Sequence, residues 1–516
     1  MGIDTGWKKV VVDEFAWPEF PAEAAGNITI VLDDISLNFR RIMPGVQAWP
    51  DLGNRLRGRI ESLAGRGALK EYRVLVDEGR FVPPNKGVTQ RMRTQRARAE
   101  PFTEVEQQAI TVGVGAIPEP ASTFFDRLLA TRSMHSPLYA FIAAELALTR
   151  LPAGVRLVLE GFRARGIMAR QIAGAPVMIM NIMVPDNEYQ VLSDNEQARI
   201  DGTSRIVVTR SATVPDTNSI FVHDSQKIGE SDLKIPAAIA EQDDGAQIFV
   251  RSCDTDMIVI ILLHMKNYLK GRNIKYGICL DTEGPGRKIG SAPVPLLDMV
   301  ELWVRVILRF RKMHPMIPPA FAIETLAMLM LMSGSDYADR LPQVGVRAVW
   351  DTFCDQVGRS VLFPRDKPHE PAVVSEDLRG QPLARDRVRL HETRIQRFLA
   401  YIYHKKTLRN TPFPVSDPYT LDAARTVRVA ARDKVRAANK KETSANSWQV
   451  PSDDAITAAV RRLAWNIDYF ANGSKVDVGP FLDPVRVDPA SGKSIHGWVT
   501  TDSGLIDRAE TVYTWG

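Results

Sequence analysis

The sequence predicts an α/β protein with a mostly parallel, twisted central sheet flanked by helices, and three observations carry that prediction. From Asn27 to Asp77 the chain reads strand, helix, strand: NITIVLDD is a short apolar run ending in acid, LGNRLRGRIESLAG has helical spacing, and EYRVLVDEG repeats the strand-to-acid pattern. A third run, AQIFVRSCDTD, ends in Asp254 and Asp256. At 516 residues the chain exceeds the size at which one core stops growing, so a large unit with an appended region is expected.

Each element follows from local pattern. The amino-terminal MGIDTGWKKVVVDEF contains no uninterrupted apolar stretch of the kind a secretory signal needs, and no later segment is long enough to span a bilayer. Cys253, Cys279 and Cys354 lack the paired spacing of a zinc site. Together these predict an intracellular protein of a reducing compartment, nucleus or cytoplasm, with no membrane partner. Between Lys86 and Lys227 the pattern predicts an insertion, with a basic start, a helix from Pro137 to Arg150 and a polar, irregular stretch from Val184 to Asp224. IVIILLH, Ile258 to His264, is expected as a buried strand, and FAIETLAMLMLM, Phe321 to Met332, as a buried helix. After Cys354, the proline-rich, charged FPRDKPHEPAVVSEDLRGQPLARD reads as a linker or surface loop. Helices over Arg387–Thr407 and Asp454–Phe470 follow, with a basic patch at Arg425–Lys441 between them. The expected division is a unit over 1–350 (an amino-terminal segment over 1–100, an insertion about 101–224, an internal segment over 225–350), a linker or surface loop over 351–385 and a helical extension over 386–516.

The acids carry the chemistry. In open α/β sheets functional groups gather at the carboxyl ends of strands, so Asp33 and Asp77 are expected to face one crevice. Phosphodiester hydrolysis by the two-metal route needs carboxylates that hold two Mg2+ about 4 Å apart, and Mg2+ prefers hard oxygen ligands and keeps several waters. Glu230 and Asp232 in GESDLKI, and Asp254 and Asp256 in SCDTD, are spaced two apart, which on extended backbone points both carboxylates to one side. Asp336 in MSGSDYADRLPQVG follows the apolar helix that begins near Phe321. One such acid is ordinarily a cap or turn residue; several at apolar strand ends repel one another without cations.

The order MGI, a strand ending in Asp33, a strand ending in Asp77 followed by a basic segment, GESD, DTD, and SGSDY before LPQVGVRA resembles the flap endonuclease/XPG nuclease family and its relatives, the Xrn-type 5′→3′ exoribonucleases. The resemblance spans roughly Met1 to Trp350. It implies a PIN-like 5′-nuclease fold with a helical arch insertion, and an activity that hydrolyses nucleic acid with two Mg2+ ions, Mn2+ substituting. By the same resemblance Asp33, Asp77, Glu230, Asp232, Asp254, Asp256 and Asp336 match the metal-binding, catalytic acids, with Asp232 standing where the relatives usually have Glu.

The resemblance also implies nucleic-acid contacts. Lys86, Arg91, Arg93, Arg96 and Arg98 form a basic cluster suited to phosphate. They lie where the family has its arch, and Lys86, Gln90 and Arg93 resemble the residues that grip a 5′ phosphate, although Thr94 replaces an expected second Arg. Phe39 falls where an aromatic stacks on a base, with a core aromatic on a helix as the equal alternative, Gly2 matches an amino-terminal glycine near the site, and Gly345 lies in an abbreviated version of a duplex-gripping hairpin in which Gln343 replaces a glycine. The net charge of +5 suits a polyanion partner. The eight histidines form no nucleophile or HExxH motif, and no GxxxxGK[ST] loop for ATP is present. The expected substrate is nucleic acid with a single-stranded 5′ end, with a structure-specific DNA flap endonuclease or exonuclease of replication or repair placed before an RNA-directed 5′→3′ or mRNA-degrading nuclease. A binding or assembly protein that keeps the fold without cutting is the third reading.

Overall fold

A computed structural model describes residues 6–35, 39, 42–77, 102–103, 105–106, 110, 113, 115–117, 121–130, 135–162, 203–211, 218–225, 231–243, 245–252, 254–269, 277–281, 288–289, 292–293, 296–315, 317, 319–335, 341, 344–364, 373–376, 387–408, 418–439, 450–472, 485, 487–500 and 506–509. Its centre is an eight-stranded mixed sheet. In chain order the strands are β1 (Ile30–Asp34), β2 (Glu71–Leu75), β3 (Arg156–Phe162), β4 (Thr203–Arg210), β5 (Asn218–Ser225), β6 (Gln247–Arg251) and β7 (Gly277–Asp281); after a two-residue hairpin, β8 (Lys288–Ile289) with β9 (Ala292–Pro293), comes β10 (Leu297–Asp298). The spatial order is β10-β7-β6-β1-β2-β3-β4-β5. Strands β7, β6, β1, β2 and β3 are parallel neighbours, while β10, β4 and β5 run antiparallel at the two edges. The predicted α/β class with a mostly parallel sheet flanked by helices is what the structure shows.

Strand periodicity explains the two layers of helix. Ile30, Leu32, Leu75, Ile248, Val250, Ile278 and Leu280 feed one core, and Val31, Tyr72, Val74, Phe249, Cys279, Leu157 and Leu159 feed the other; alternate residues on a strand point to opposite faces. The second core is covered by α3 (Trp49–Ala64), α4 (Ala121–Ala130) and α5 (His135–Ala147), which follow α1 (Gly6–Phe15) and the short α2 (Ala22–Gly26). The first core is covered by α1, α6 (Ser231–Ala240), α7 (Asp256–Leu269), α8 (Met299–Met313), α9 (Pro319–Met332) and α10 (Val346–Cys354). Burying one large aliphatic side chain contributes about 1.5–3 kcal/mol, so α7, with every residue from Met257 to Leu263 at most 1% exposed, is a principal source of cohesion.

Three local expectations give way. Ile258–His264 is helix, not strand: Asp254 Oδ1 accepts the Asp256 amide at 3.1 Å and starts α7, and a helix buried all round has no amphipathic period to reveal it. Within the stretch expected to be irregular, Thr203–Arg210 pairs antiparallel with Asn218–Ser225 as β4 and β5, while 184–202 lies outside the described residues. The expected linker or surface loop over 351–385 opens in the last turn of α10, continues as α11 (Gln356–Leu362), whose amino end is capped by Asp355, and contains β11 (Val373–Glu376), which pairs with β12 (Arg387–Leu390). Beyond it, α12 (Glu392–Leu408), α13 (Leu421–Asn439) and α14 (Asp453–Asn472) precede a last hairpin of β13 (Trp498–Thr500) and β14 (Ile506–Arg508). These helices contribute Ile395, Phe398, Ala424, Ile456 and Ile467 to the same core as α7 and α9. No helix among the described residues is long and apolar enough to cross a membrane.

Candidate functional site

The chain leaves β1 in both directions across the sheet, toward β2 and β3 on one side and, much later, through β6 and β7 on the other. The gap between β1 and β6 is therefore a topological switch point, and in such sheets ligands sit beyond the carboxyl ends of the strands at that point. Asp34 ends β1, Asp77 follows β2, and Asp254 follows β6. Asp34 and Asp254 thus flank the switch point, and Asp77 stands one strand further along the same edge.

At this position Ser231, the first residue of α6, touches two of them. Its hydroxyl lies 3.0 Å from Asp34 Oδ2 and 2.8 Å from Asp77 Oδ1, and its amide donates to the same Asp77 oxygen at 2.8 Å. Asp34 and Ser231 are buried, and Asp77 is half-buried. Favourable contact between an anion and a helix amino terminus explains why Asp77 seats there. Asp232 is buried in the first turn of α6, Asp256 is buried at the start of α7, and Asp254 is half-buried before it. Neither Asp232 nor Asp256 is on extended backbone, so the expected side-by-side geometry of acids two apart is replaced by helix amino termini. Among the described residues, no group of three or more His, Cys, Asp or Glu is spaced to hold a metal ion.

Asp33, expected in the crevice, corrects to the opposite face, because it is one residue from Asp34 on a strand. It is 2% exposed. There it accepts a hydrogen bond from the Tyr72 hydroxyl, pairs with Arg59 of α3 at 3.0 Å and has Arg251 at 3.9 Å. Burial, then the charge of Asp33, pushes the Tyr72 phenol up to about 12, which keeps it a donor. Burial works against the charge of Arg251, but Tyr72 and Asp33 outweigh it and leave that guanidinium above its ordinary value. Asp34, absent from the acids expected at the site, takes the place in the crevice; the signal that finds it is that Ile30, Leu32 and Asp34 alternate on one face.

Phe39 also corrects. It is 1% exposed, 5.6 Å from Phe125 between ring centroids, within the aromatic cluster of Trp49, Phe124 and Phe141, so its ring is committed to the core rather than to a base. Gly345 is the amino-terminal cap of α10, beyond the buried Leu341 and Val344. Gly2, Lys86, Gln90, Arg91, Arg93, Arg96, Glu230 and Asp336 lie outside the described residues, as do Thr94, Arg98 and Gln343.

A second polar region occupies the other end of β2. A cavity of about 320 Å³ is lined by Glu71, Arg73, Arg156, Arg205 and Glu241 over a floor of Val158 and Val207. Arg73 pairs with Glu71 at 2.7 Å and Glu241 at 2.8 Å, and stands 3.5 Å from Glu160. Burial disfavours its charge, but Glu160, Glu71 and Glu241 together hold it above its ordinary value. The cavity runs from the amino ends of β2 and β3 across to β4, at the far end of α6 from Ser231, and its guanidiniums and carboxylates pair with one another.

No family model matches the chain, and no curated protein matches it.

Proposed function

We propose that the chain is a Mg2+-dependent 5′ nuclease that hydrolyses phosphodiesters, acting on DNA with a single-stranded 5′ end in the manner of a flap endonuclease or 5′→3′ exonuclease. The observation that supports this most directly is the approach of Asp34 and Asp77, from the ends of the adjacent parallel strands β1 and β2, to one hydroxyl beside the topological switch point. Two carboxylates in such proximity favour a cation between them. Their oxygens suit Mg2+, which is often held by one or two protein carboxylates and substrate phosphates.

Asp34 and Asp77 are the residues that would hold the ion, with Asp232, Asp254 and Asp256 adding negative charge at neighbouring helix starts. Bound there, Mg2+ supplies Lewis-acid stabilisation of charge on a phosphoryl oxygen. The Ser231 amide and hydroxyl orient Asp77, and the buried Asp34 fixes the depth at which a phosphodiester is met. Lys86, Gln90 and the arginines at 91, 93 and 96 would bind the 5′ strand.

The test is cleavage of matched 5′-labelled DNA flap, DNA duplex, single-stranded DNA and single-stranded RNA with Mg2+ or EDTA. Metal-dependent cutting of the flap is expected, with loss in Asp77→Ala. Preference for RNA would transfer the reading to a 5′→3′ ribonuclease, and folded protein that cuts nothing would end it in favour of a binding or assembly role.

A further inference from the structure

Helix α8 turns one side to the core, where Met299, Leu302, Val306 and Phe310 are buried, and the opposite side to solvent. On that outer side Val304 is 38% exposed and Leu308 57%. They stand one helical turn apart, and no other two exposed large apolar side chains among the described residues share a helix in this way. Glu301 precedes Val304 and Arg311 follows Leu308 on the same stripe, both of them exposed, so the solvent-facing line reads acid, apolar, apolar, base. Its steps alternate between three and four residues, the spacing of a helix–helix seam. The other guanidiniums of the helix are committed within the molecule. Arg305 donates to Glu301 at 2.7 Å and to the carbonyls of Phe15 and Ala16 at 3.1 Å, and Arg309 donates to Glu14 at 2.6 Å. Arg311, by contrast, pairs with no acid among the described residues.

We propose that this stripe is the interface of a homodimer in which two copies of α8 pack antiparallel about a two-fold axis level with Val306. Such an axis sets residue i against j and j against i. Val304 then meets the partner's Leu308, and Glu301 meets the partner's Arg311, each pair occurring twice. A second copy is the occupant this order fits, because acid, apolar, apolar, base is its own complement when reversed. Parallel packing would instead set Glu301 against the partner's Glu301 and Arg311 against the partner's Arg311, which like-charge repulsion disfavours. Removing the apolar pairs from water supplies the attraction, and the ion pairs at the two ends fix the register. With one helix from each subunit the interface is small, so the dimer is reversible.

The test is sedimentation equilibrium of the full chain from about 1 to 100 μM, for wild type, Leu308→Asp, Arg311→Glu and the exchange Glu301→Arg/Arg311→Glu, beside a melting curve of each. All three positions are exposed, so the variants keep the fold of the subunit. The expected result is a monomer–dimer equilibrium for the wild type and a Kd raised by about 10-fold or more in Leu308→Asp and in Arg311→Glu. The exchange restores opposite charges across the axis and should recover most of the loss seen in Arg311→Glu. A wild type that stays monomeric throughout overturns the dimer, as does a dimer that Leu308→Asp leaves intact. A dimer that Arg311→Glu does not weaken, or that the exchange does not recover, overturns the antiparallel register.

Discussion

Asp33 and Asp34 are neighbours in sequence and opposites in environment. On one face of β1, Asp33 lies under α3 with a phenol and two guanidiniums around it; on the other, Asp34 meets the hydroxyl that also touches Asp77. A buried carboxylate matched by cations of the same protein is a structural element, because its charge is already answered. Asp34 instead shares the Ser231 hydroxyl with Asp77, so that two carboxylates meet at one donor. Strand periodicity puts the two on opposite faces, and the elements that cover each face, α3 on one and α6 on the other, give each acid its surroundings.

The widest separation between the two faces should come from replacing each acid by its amide. Asp34→Asn keeps shape and loses the charge that would hold Mg2+, so metal-dependent cleavage should fall by about 10³-fold, a loss of several kcal/mol of transition-state stabilisation, while the melting temperature in EDTA stays level or rises as carboxylate repulsion is relieved. Asp33→Asn should leave cleavage by the folded protein within a small factor of wild type. Steady-state rates on a 5′-labelled flap compare them, and equal loss in both variants would erase the distinction between the faces.

How much of this was legible depends on what each signal encodes. Strands β1, β2 and β6 were readable because apolar runs ended in acid, and the parallel sheet followed from the βαβ pattern. The choice between Asp33 and Asp34 was not, because it turns on which face α6 covers, a tertiary fact. The partners that settle it, Arg59, Arg251 and Ser231, are 26, 218 and 197 residues from the acids they meet. A fully buried helix and a buried strand share the same apolar composition, which hid helix α7, and the β4–β5 pair was missed because each eight-residue strand carries only a three-residue apolar run, Ile206–Val208 and Ile220–Val222, between polar ends. Phe39 illustrates the opposite error: a family position suggested a ligand contact, whereas Phe125 and Trp49 claim the ring for the core.

A second, smaller effect separates the faces by stability. Asp33→Ala would leave Arg59 and Arg251, whose side chains are 16% and 15% exposed, without their shared carboxylate. Removing one partner of a buried ion pair costs about 3–5 kcal/mol, and the partial exposure of both arginines places this case near the lower end. Urea unfolding should show the midpoint drop, and the loss should shrink in Asp33→Ala/Arg59→Leu, where the uncompensated charge is removed as well. A midpoint equal to wild type in the single variant would mean that Asp33 is not the anchor of α3.

The smallest effect is the alkaline signature of the Asp33 face. The folded-state pKa of Tyr72 is raised to about 12 from an ordinary 10.0, by burial first and by Asp33 second. A raised pKa means that folding favours the protonated phenol, so its contribution is complete below pH 10, declines as the unfolded chain begins to ionise there, and is gone above about 12. Tyr72→Phe removes the hydrogen bond to Asp33 and should cost about 1–2 kcal/mol near neutrality. Between pH 10 and 12 its stability should fall less steeply than that of the wild type, since one ionising group is missing. Parallel curves for the two proteins across that window would show that the phenol is not coupled to Asp33, and the face would then rest on the arginines alone.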